Sequence, residues 1–341
     1  MAVALKQVAG KAGVSLAVAS MAIRGRGRMS DETRAKVKKV AVELGFRPNA
    51  SARALALGRS EALGVIVRDL HYLSGPYVGL IVTGIAEVSD DNDLGLSFAR
   101  SAETPSRDVP EYIRFAREGR FDGMIMIDHD ARESYLRLLG QMNMPAVLVN
   151  RTISDRSLPV VRINYRKAVA QATSHLIDMG HRRIALIAPY FKFYEYREKL
   201  AGYKDALESH GLSLDRQLMP TSAEAFLELA TLRQVVEKLE SLPDRPTAYI
   251  ALSDLITVPL YEVLKSRSLR VPEDVSLIGF DHFGSTTCSM FPIGIINVPA
   301  HDLGVHACQL LLNLLKGKGA AKDVVLDATF EPRSTCAPPG R

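Results

Sequence analysis

Cysteine is scarce in this 341-residue chain: Cys288, Cys308 and Cys336 are odd in number and widely separated. None has a partner at metal-ligand spacing, which excludes a disulfide framework and a structural zinc site and leaves unpaired thiols in a reducing compartment. Long apolar runs are also missing, so no segment is expected to span or touch a membrane. The opening residues, MAVALKQVAGKAGV, lack the charged start, apolar stretch and small-residue cleavage site of a signal peptide, and a cytoplasmic protein is expected. The signatures of common catalysts are absent too. No GxGxxG follows any strand-like run, which removes the phosphate-binding loop a dinucleotide enzyme needs. Ser253 lies in ALSDL, without the glycines of a nucleophile elbow. The eight histidines show no metal spacing on a helix face, His301 and His306 being five apart, and solvated or capping roles are expected for them. No catalytic residue, cofactor or metal is expected, although an enzyme on the same fold stays open as a competing reading.

What the chain does have is an uneven charge. Residues 1–60 carry twelve Lys/Arg against three acids, or +9, while the remainder carries 31 against 35, or −4. A basic head on a mildly acidic body is the electrostatic footprint of a nucleic-acid module, although a charge run alone is usually a solvated face. The length fits a small module plus a larger two-lobed body, and 47% apolar with 24% charged residues fits a globular protein.

In the head, Leu5, Val8, Ala9 and Ala12 recur at helical spacing and are followed by Gly13, Val14 and Ser15: a helix stop, a buried turn residue and an N-cap. A second short helix starts at Leu16 and ends before the RGRGR cluster. A third opens at Ser30, with Asp31 and Glu32 where the helix dipole favours acids. Two short helices joined by a tight Gly-containing turn and braced by a third make a helix-turn-helix, whose second helix enters the major groove.

After Ser60 short apolar runs alternate with amphipathic helices: LGVIV, GLIVTGIAEVSDD, LGLSF, DGMIMID, PAVLVN, HLIDMGHRRIALIA, TAYIAL and VSLIGFD. Such alternation predicts parallel sheets with crossover helices, with ligands at the carboxyl ends of the strands.

The segments LKQVAGKAGVSLAVASMAIRG and MSDETRAKVKKVAVELGFRPNASARALALGRS resemble the head of the lactose-repressor/galactose-repressor family of bacterial transcription regulators along its full length. GHRRIALIA, LAGYKDAL, PTAYIALSD and VPEDVSLIGFD extend the resemblance over nearly all of residues 62–335, where the family's core looks like a periplasmic sugar-binding protein. The resemblance implies an all-α head over residues 1–48, a hinge helix and linker over 49–61, and a body over 62–341. The body's two doubly wound lobes are expected at about 62–162 with 297–327 and about 163–294 with 328–338. It implies a DNA-binding repressor whose operator affinity is set by a sugar or sugar-like effector bound between the lobes. A homodimer reading a palindromic operator follows from the need for two heads. The tail EPRSTCAPPGR, with three prolines and no leucine heptad, argues against the tetramerising coiled coil of the lactose repressor. A sugar-transport binding protein is the second competing reading.

Residue by residue, the resemblance places Ser15, Leu16, Ala17, Val18, Ser20 and Met21 on the recognition helix. Leu16 and Ala17 stand at the base-reading positions and offer no hydrogen-bonding group, so only thymine methyl contact or exclusion is open to them. Val18 replaces a usual Thr and Met21 a usual Arg. Arg24, Arg26 and Arg28, with Lys6 and Arg53, are candidates for phosphate contacts. On the hinge beginning at Asn49, Leu55 is implied to wedge into the minor groove and kink the operator centre, where otherwise it would be ordinary core. In the body, Asp281 stands at the family's effector-binding Asp, with helix capping as the alternative. Tyr77 is either a cleft-lining aromatic or core. Asn150 stands where Asp is common, Ser253 where Asn is usual, and Phe226 aligns loosely with a stacking aromatic. The family's clamping Arg is here Lys199, a point charge without an arginine's fork. Either Arg197 takes over the clamp, or the ligand is not a simple neutral sugar, or Lys199 is an exposed lysine on a solvated helix.

Overall fold

The computed structural model describes residues 3–25, 27–46, 58–101, 108–127, 132–153, 157–188, 194–220, 229–281, 292–317 and 322–340, apart from the side chains of His71, Tyr72 and Asp281. The chain divides into two compact units, Met1–Ser60 and Glu61–Arg341.

The first unit is a trihelical head: α1 (Leu5–Ala12), α2 (Leu16–Ile23) and α3 (Asp31–Glu43). Gly13 adopts φ 68°, a left-handed turn that costs glycine little, and its N–H returns to the carbonyls of Ala9 and Gly10. Ser15 and Ser30 cap α2 and α3, each hydroxyl accepting from a backbone N–H three residues on, Val18 and Thr33, at 3.2 Å. The core is small: Val8, Ala9, Ala12, Ala19, Ala22, Val37, Val40 and Ala41. Alanines at the contacts let three short helices approach closely, and a Lys11–Glu43 ion pair at 3.0 Å links α1 to α3.

In the second unit the described strands form two sheets. β1 (Ala62–Val67), β2 (Gly95–Arg100), β3 (Gly123–Ile127), β4 (Ala146–Val149), β5 (Val160–Ile163) and β10 (Val324–Leu326) make one, ordered β10-β5-β4-β3-β1-β2 and wholly parallel. The other contains β6 (Ile184–Ile187), β7 (Ala248–Ala251), β8 (Ser276–Asp281), β9 (Gly294–Asn297) and β11 (Thr329–Glu331), ordered β11-β9-β8-β7-β6. Its edge strand β11 runs antiparallel to β9. Among the described strands the chain thus passes between the sheets three times: after β5, after β9 and after β10.

Side-chain alternation distributes each strand over two layers. Leu63, Val65 and Val67 of β1 join one cluster, and Ile66 another; Ile125 and Ile127 of β3 split likewise from Met124 and Met126. The first sheet is covered on one face by α4 (Pro76–Asp91) and α11 (Ala300–Leu315), and on the other by α5 (Glu111–Arg117) and α6 (Glu133–Gln141). The second lies between α7 (Tyr165–Asp178) with α8 (Tyr194–Ser209) and α9 (Leu229–Glu240) with α10 (Asp254–Ser266).

Glycine sets the close crossings. A Cβ on Gly304 would overlap the Ile81 carbonyl, and one on Gly84 would overlap that of His301, so α4 and α11 meet backbone to backbone. Gly202 of α8 plays the same part against Arg166 of α7, with an Arg166–Asp205 hydrogen bond of 2.8 Å alongside.

Histidine roles need one correction. His301 is solvated and pairs with Glu87 at 2.9 Å, but His181 is 1% exposed and serves as an internal bridge. Its Nδ1 faces the Thr247 hydroxyl at 2.9 Å, and its Nε2 faces Ser276 Oγ at 3.0 Å and the Ala337 carbonyl at 2.9 Å. A GHRR turn gives no local sign that its histidine faces inward, because the partners lie 66 to 156 residues away.

Candidate DNA-reading surface and effector site

In the head, α2 turns Ala19 and Ala22 into the core and leaves Ser15, Leu16, Ala17 and Met21 exposed, with Val18 and Ser20 between. Leu16 is 53% exposed and Met21 37%. Arg24 Nη2 donates to Ser20 Oγ at 3.0 Å, one turn back on the same face. Gly27 (φ 82°) lies beneath Met21, where a Cβ would overlap the thioether, and its carbonyl accepts from Arg34 Nη2 at 3.2 Å. Arg24 and Arg28 are exposed, as is Lys6. Arg26, Asn49, Arg53 and Leu55, and with them the hinge helix of residues 49–56, lie outside the described residues.

In the body, several predicted positions fall at the carboxyl ends of strands, where an open parallel sheet binds ligands. Asn150 directly follows β4, at φ 50°, a left-handed conformation that Asn tolerates better than most residues. It is 3% exposed. Its side-chain oxygen accepts from the Ile163 N–H at 2.9 Å. Its amide nitrogen donates to the Tyr77 and Tyr165 hydroxyls, the latter at 3.2 Å, and those hydroxyls lie 3.3 Å apart. Both amide hydrogens are therefore engaged within the protein, and an Asp in their place would supply neither. Ser253 lies two residues beyond β7, where its hydroxyl caps α10 through the Leu255 N–H at 3.3 Å. Asp281 ends β8; only its backbone is described. Phe226 lies outside the described residues.

Lys199 is 1% exposed, which rules out a solvated lysine on an open helix face. Its ammonium donates to the Leu252 carbonyl at 3.0 Å. Around it lie the rings of Phe280, Tyr165 and Tyr196, with centroids at 4.3, 4.7 and 4.8 Å. Three π faces and a carbonyl stabilise the cation away from water. Arg197, two residues earlier and so on the opposite side of α8, is exposed and does not join the cluster.

The sequence reading missed Tyr165 and Tyr196. Tyr165 opens α7 just after β5, a strand not recognised in advance because VVRI is short and interrupted by Arg162. Tyr194 opens α8, and its phenol pKa is raised by burial, with Arg162 partly opposing the shift. A separate open cavity of about 520 Å³ lies along α7, lined by Lys167, Gln171, Ser174, His175, Asp178 and Phe330 among others. None of the predicted effector residues lines it.

Residues 4–49 match the profile described as bacterial regulatory proteins, lacI family, and residues 173–336 match that of a periplasmic binding protein-like domain. The HTH-type transcriptional repressor CytR of Escherichia coli strain K12 is 30% identical over 319 residues, 93% of this chain and 91% of that protein. The HTH-type transcriptional regulator RegA of Clostridium saccharobutylicum is 28% identical over 324 residues, 93% and 94% of the two chains. Among solved structures, a complex of the transcriptional regulator CelR with cellobiose aligns at TM-score 0.70 and 26% identity over 98% of this chain and 99% of that one. A lac repressor dimer bound to operator and the anti-inducer ONPF has the same fold, at TM-score 0.81 and 22% identity over 99% and 100%.

Proposed function

The chain belongs to the lacI family of bacterial regulatory proteins, and from that premise we infer how its two units divide the work. It is a helix-turn-helix transcriptional repressor controlled by a small molecule. The observation that carries this reading is the pairing, in one chain, of a +9 head whose α2 face is exposed with a two-sheet body in which Asn150, Ser253 and Asp281 stand at or just beyond strand ends.

In finer detail, a homodimer sets α2 of each head into successive major grooves of a palindromic operator, with Arg24, Arg26, Arg28, Lys6 and Arg53 contacting phosphates. The hinge at residues 49–56 forms on DNA, and Leu55 opens the central minor groove. The effector is a sugar or sugar-like molecule held between the lobes. Asp281 is its main carboxylate partner, and Ser253 contributes through the position it fixes at the start of α10. The protein works in the cytoplasm; no described helix is long and apolar enough to cross a membrane.

Lys199 and Asn150 take a different role from the one their positions imply. Tyr77, Asn150, Tyr165, Lys199 and Leu252 form a continuous path of hydrogen bonds and ring contacts from the first sheet's strand ends to the second's. Lys199 is then a positioning residue that ties α8 to β7 and β8. A ligand acts only through its preference for one relation of the lobes over the other, and this path is an element that preference can bias.

The test is a thermal-shift screen of sugars, sugar acids and nucleosides on the full chain, followed by DNA binding in the presence of each hit. A hit that changes operator affinity supports the reading; hits that leave it unchanged refute effector control. Turnover of a hit supports the enzyme alternative, and binding of sugar with no DNA affinity supports the transport alternative.

A further inference from the structure

We propose that the head selects its operator half-site by burying thymine 5-methyl groups against Leu16 and Ala17, so that base reading by α2 is apolar rather than hydrogen-bonded. The inference rests on the helix-turn-helix reading above and deepens it by naming what the recognition helix recognises.

The first turn of α2, the part of a recognition helix that meets base edges, exposes one large and one small apolar side chain. Leu16 is 53% exposed and takes no part in the head's core, although that core recruits Leu5, Val14 and Ile23. An isolated exposed leucine is common on any surface. This one stands at the tip of the helix in the most positively charged part of the chain, a surface complementary to a polyanion. The hydroxyls that flank it each already accept one hydrogen bond within the head: Ser15 Oγ from the Val18 N–H at 3.2 Å, and Ser20 Oγ from Arg24 at 3.0 Å. One turn further on, Met21 adds a third exposed apolar group, seated over Gly27. In the major groove the apolar feature a base pair presents is the C5 methyl of thymine; the other edges are hydrogen-bond donors and acceptors that these side chains would desolvate without replacement. Leu16 and Ala17 therefore favour T·A or A·T pairs by contact and disfavour G·C pairs by leaving their polar edges unsatisfied, while the surrounding arginines supply affinity without sequence information.

The experiment enriches duplexes from a random pool on the full-length protein and then resynthesises the enriched duplex with deoxyuridine replacing each thymine in turn. The expected result is one or two thymines per half-site whose conversion weakens binding by about fourfold each, the worth of one buried methylene-sized group. At those positions a 5-methylcytosine·guanine pair is expected to bind better than an unmethylated cytosine·guanine pair. Leu16→Ala is expected to erase the deoxyuridine penalty at one position while leaving the dependence on salt unchanged. Because Leu16 lies outside the core, the variant keeps its thermal midpoint. Penalties below about twofold at every thymine would overturn the inference. So would a full penalty that survives Leu16→Ala. If no sequence is enriched at all, the DNA-binding reading itself falls, an outcome distinguishable from enrichment of a motif whose methyls do not matter.

Discussion

Replacing Lys199 separates the contribution of its stem from that of its charge. In the native protein the side chain is 1% exposed, with its ammonium against three rings and the Leu252 carbonyl. Desolvating an ammonium costs several kcal/mol. The cation–π contacts return about 2 kcal/mol or more at a desolvated site. The charged hydrogen bond returns about 1.5–3 kcal/mol, so the head group nearly breaks even. The stem does not, because each of its buried methylenes contributes about 0.8 kcal/mol and its loss leaves a cavity. Lys199→Met keeps most of that volume and offers a thioether to the same rings, so it should change stability by less than about 1 kcal/mol. Lys199→Ala should cost about 2–3 kcal/mol. Urea unfolding of the full chain, followed by circular dichroism at constant m-value, measures both. Equal, small effects of the two substitutions would mean that Lys199 is solvated and the aromatic enclosure does not form. A large loss in both would mean that the charge itself is required.

Other outcomes follow from the same structure. Gly304→Ala drives a methyl into the Ile81 carbonyl and should cost about 3 kcal/mol, whereas Gly140→Ala, in a helix with open space around it, should gain about 0.8 kcal/mol; paired thermal melts measure the contrast. Burial lowers the His181 pKa below its ordinary 6.5, so the unfolded chain takes up a proton first. Stability from this residue is complete above about pH 6.5 and declines as pH falls through the folded value, and His181→Gln should flatten that part of the denaturation profile. Glu87 raises the His301 pKa, so its contribution has the opposite sign and is lost as pH rises past the folded value; His301→Ala isolates it in the same titration. If arginines and lysines of two heads neutralise phosphates, log affinity should fall with log salt at a slope of about −6 or steeper, and a flat slope in a binding titration would refute phosphate-dominated affinity.

The parts of the fold legible in sequence are those governed by rules spanning a few residues. Gly13 and Ser15 stop one helix and cap the next, and Ser30 caps the third, so the head is readable almost to the residue. LGVIV, DGMIMID, PAVLVN, TAYIAL and VSLIGFD are strands because buried parallel strands are nearly continuous apolar runs. The strands that escaped notice are short or interrupted: β5 carries Arg162, β10 and β11 have three residues each, and β9 follows a proline-containing turn. β11 also adds an antiparallel edge that strand–helix alternation does not predict.

The candidate site was only half legible, and Asn150 shows why. Its place after PAVLV marks it as a strand-end residue, which is correct, but its chemistry depends on Tyr77, 73 residues earlier, and on Tyr165, 15 residues later. Read alone, Asn in place of Asp looks like a change of ligand. With both tyrosine hydroxyls near its amide, it is a donor choice that the protein's own network requires. Lys199 follows the same logic: it looks like a weakened clamp until Phe280 and Tyr196 close around it. Two of the three departures from the sugar-binding pattern are thus satisfied internally, and the third, Ser253, is spent on a helix cap. The ligand chemistry of this protein is therefore better sought at other positions than these three, and Asp281, whose backbone ends β8, is the first to test. If Asp281→Asn abolishes the thermal shift produced by every hit while Ser253→Ala leaves it intact, the carboxylate is the recognition element; a shift that survives Asp281→Asn would place the ligand elsewhere.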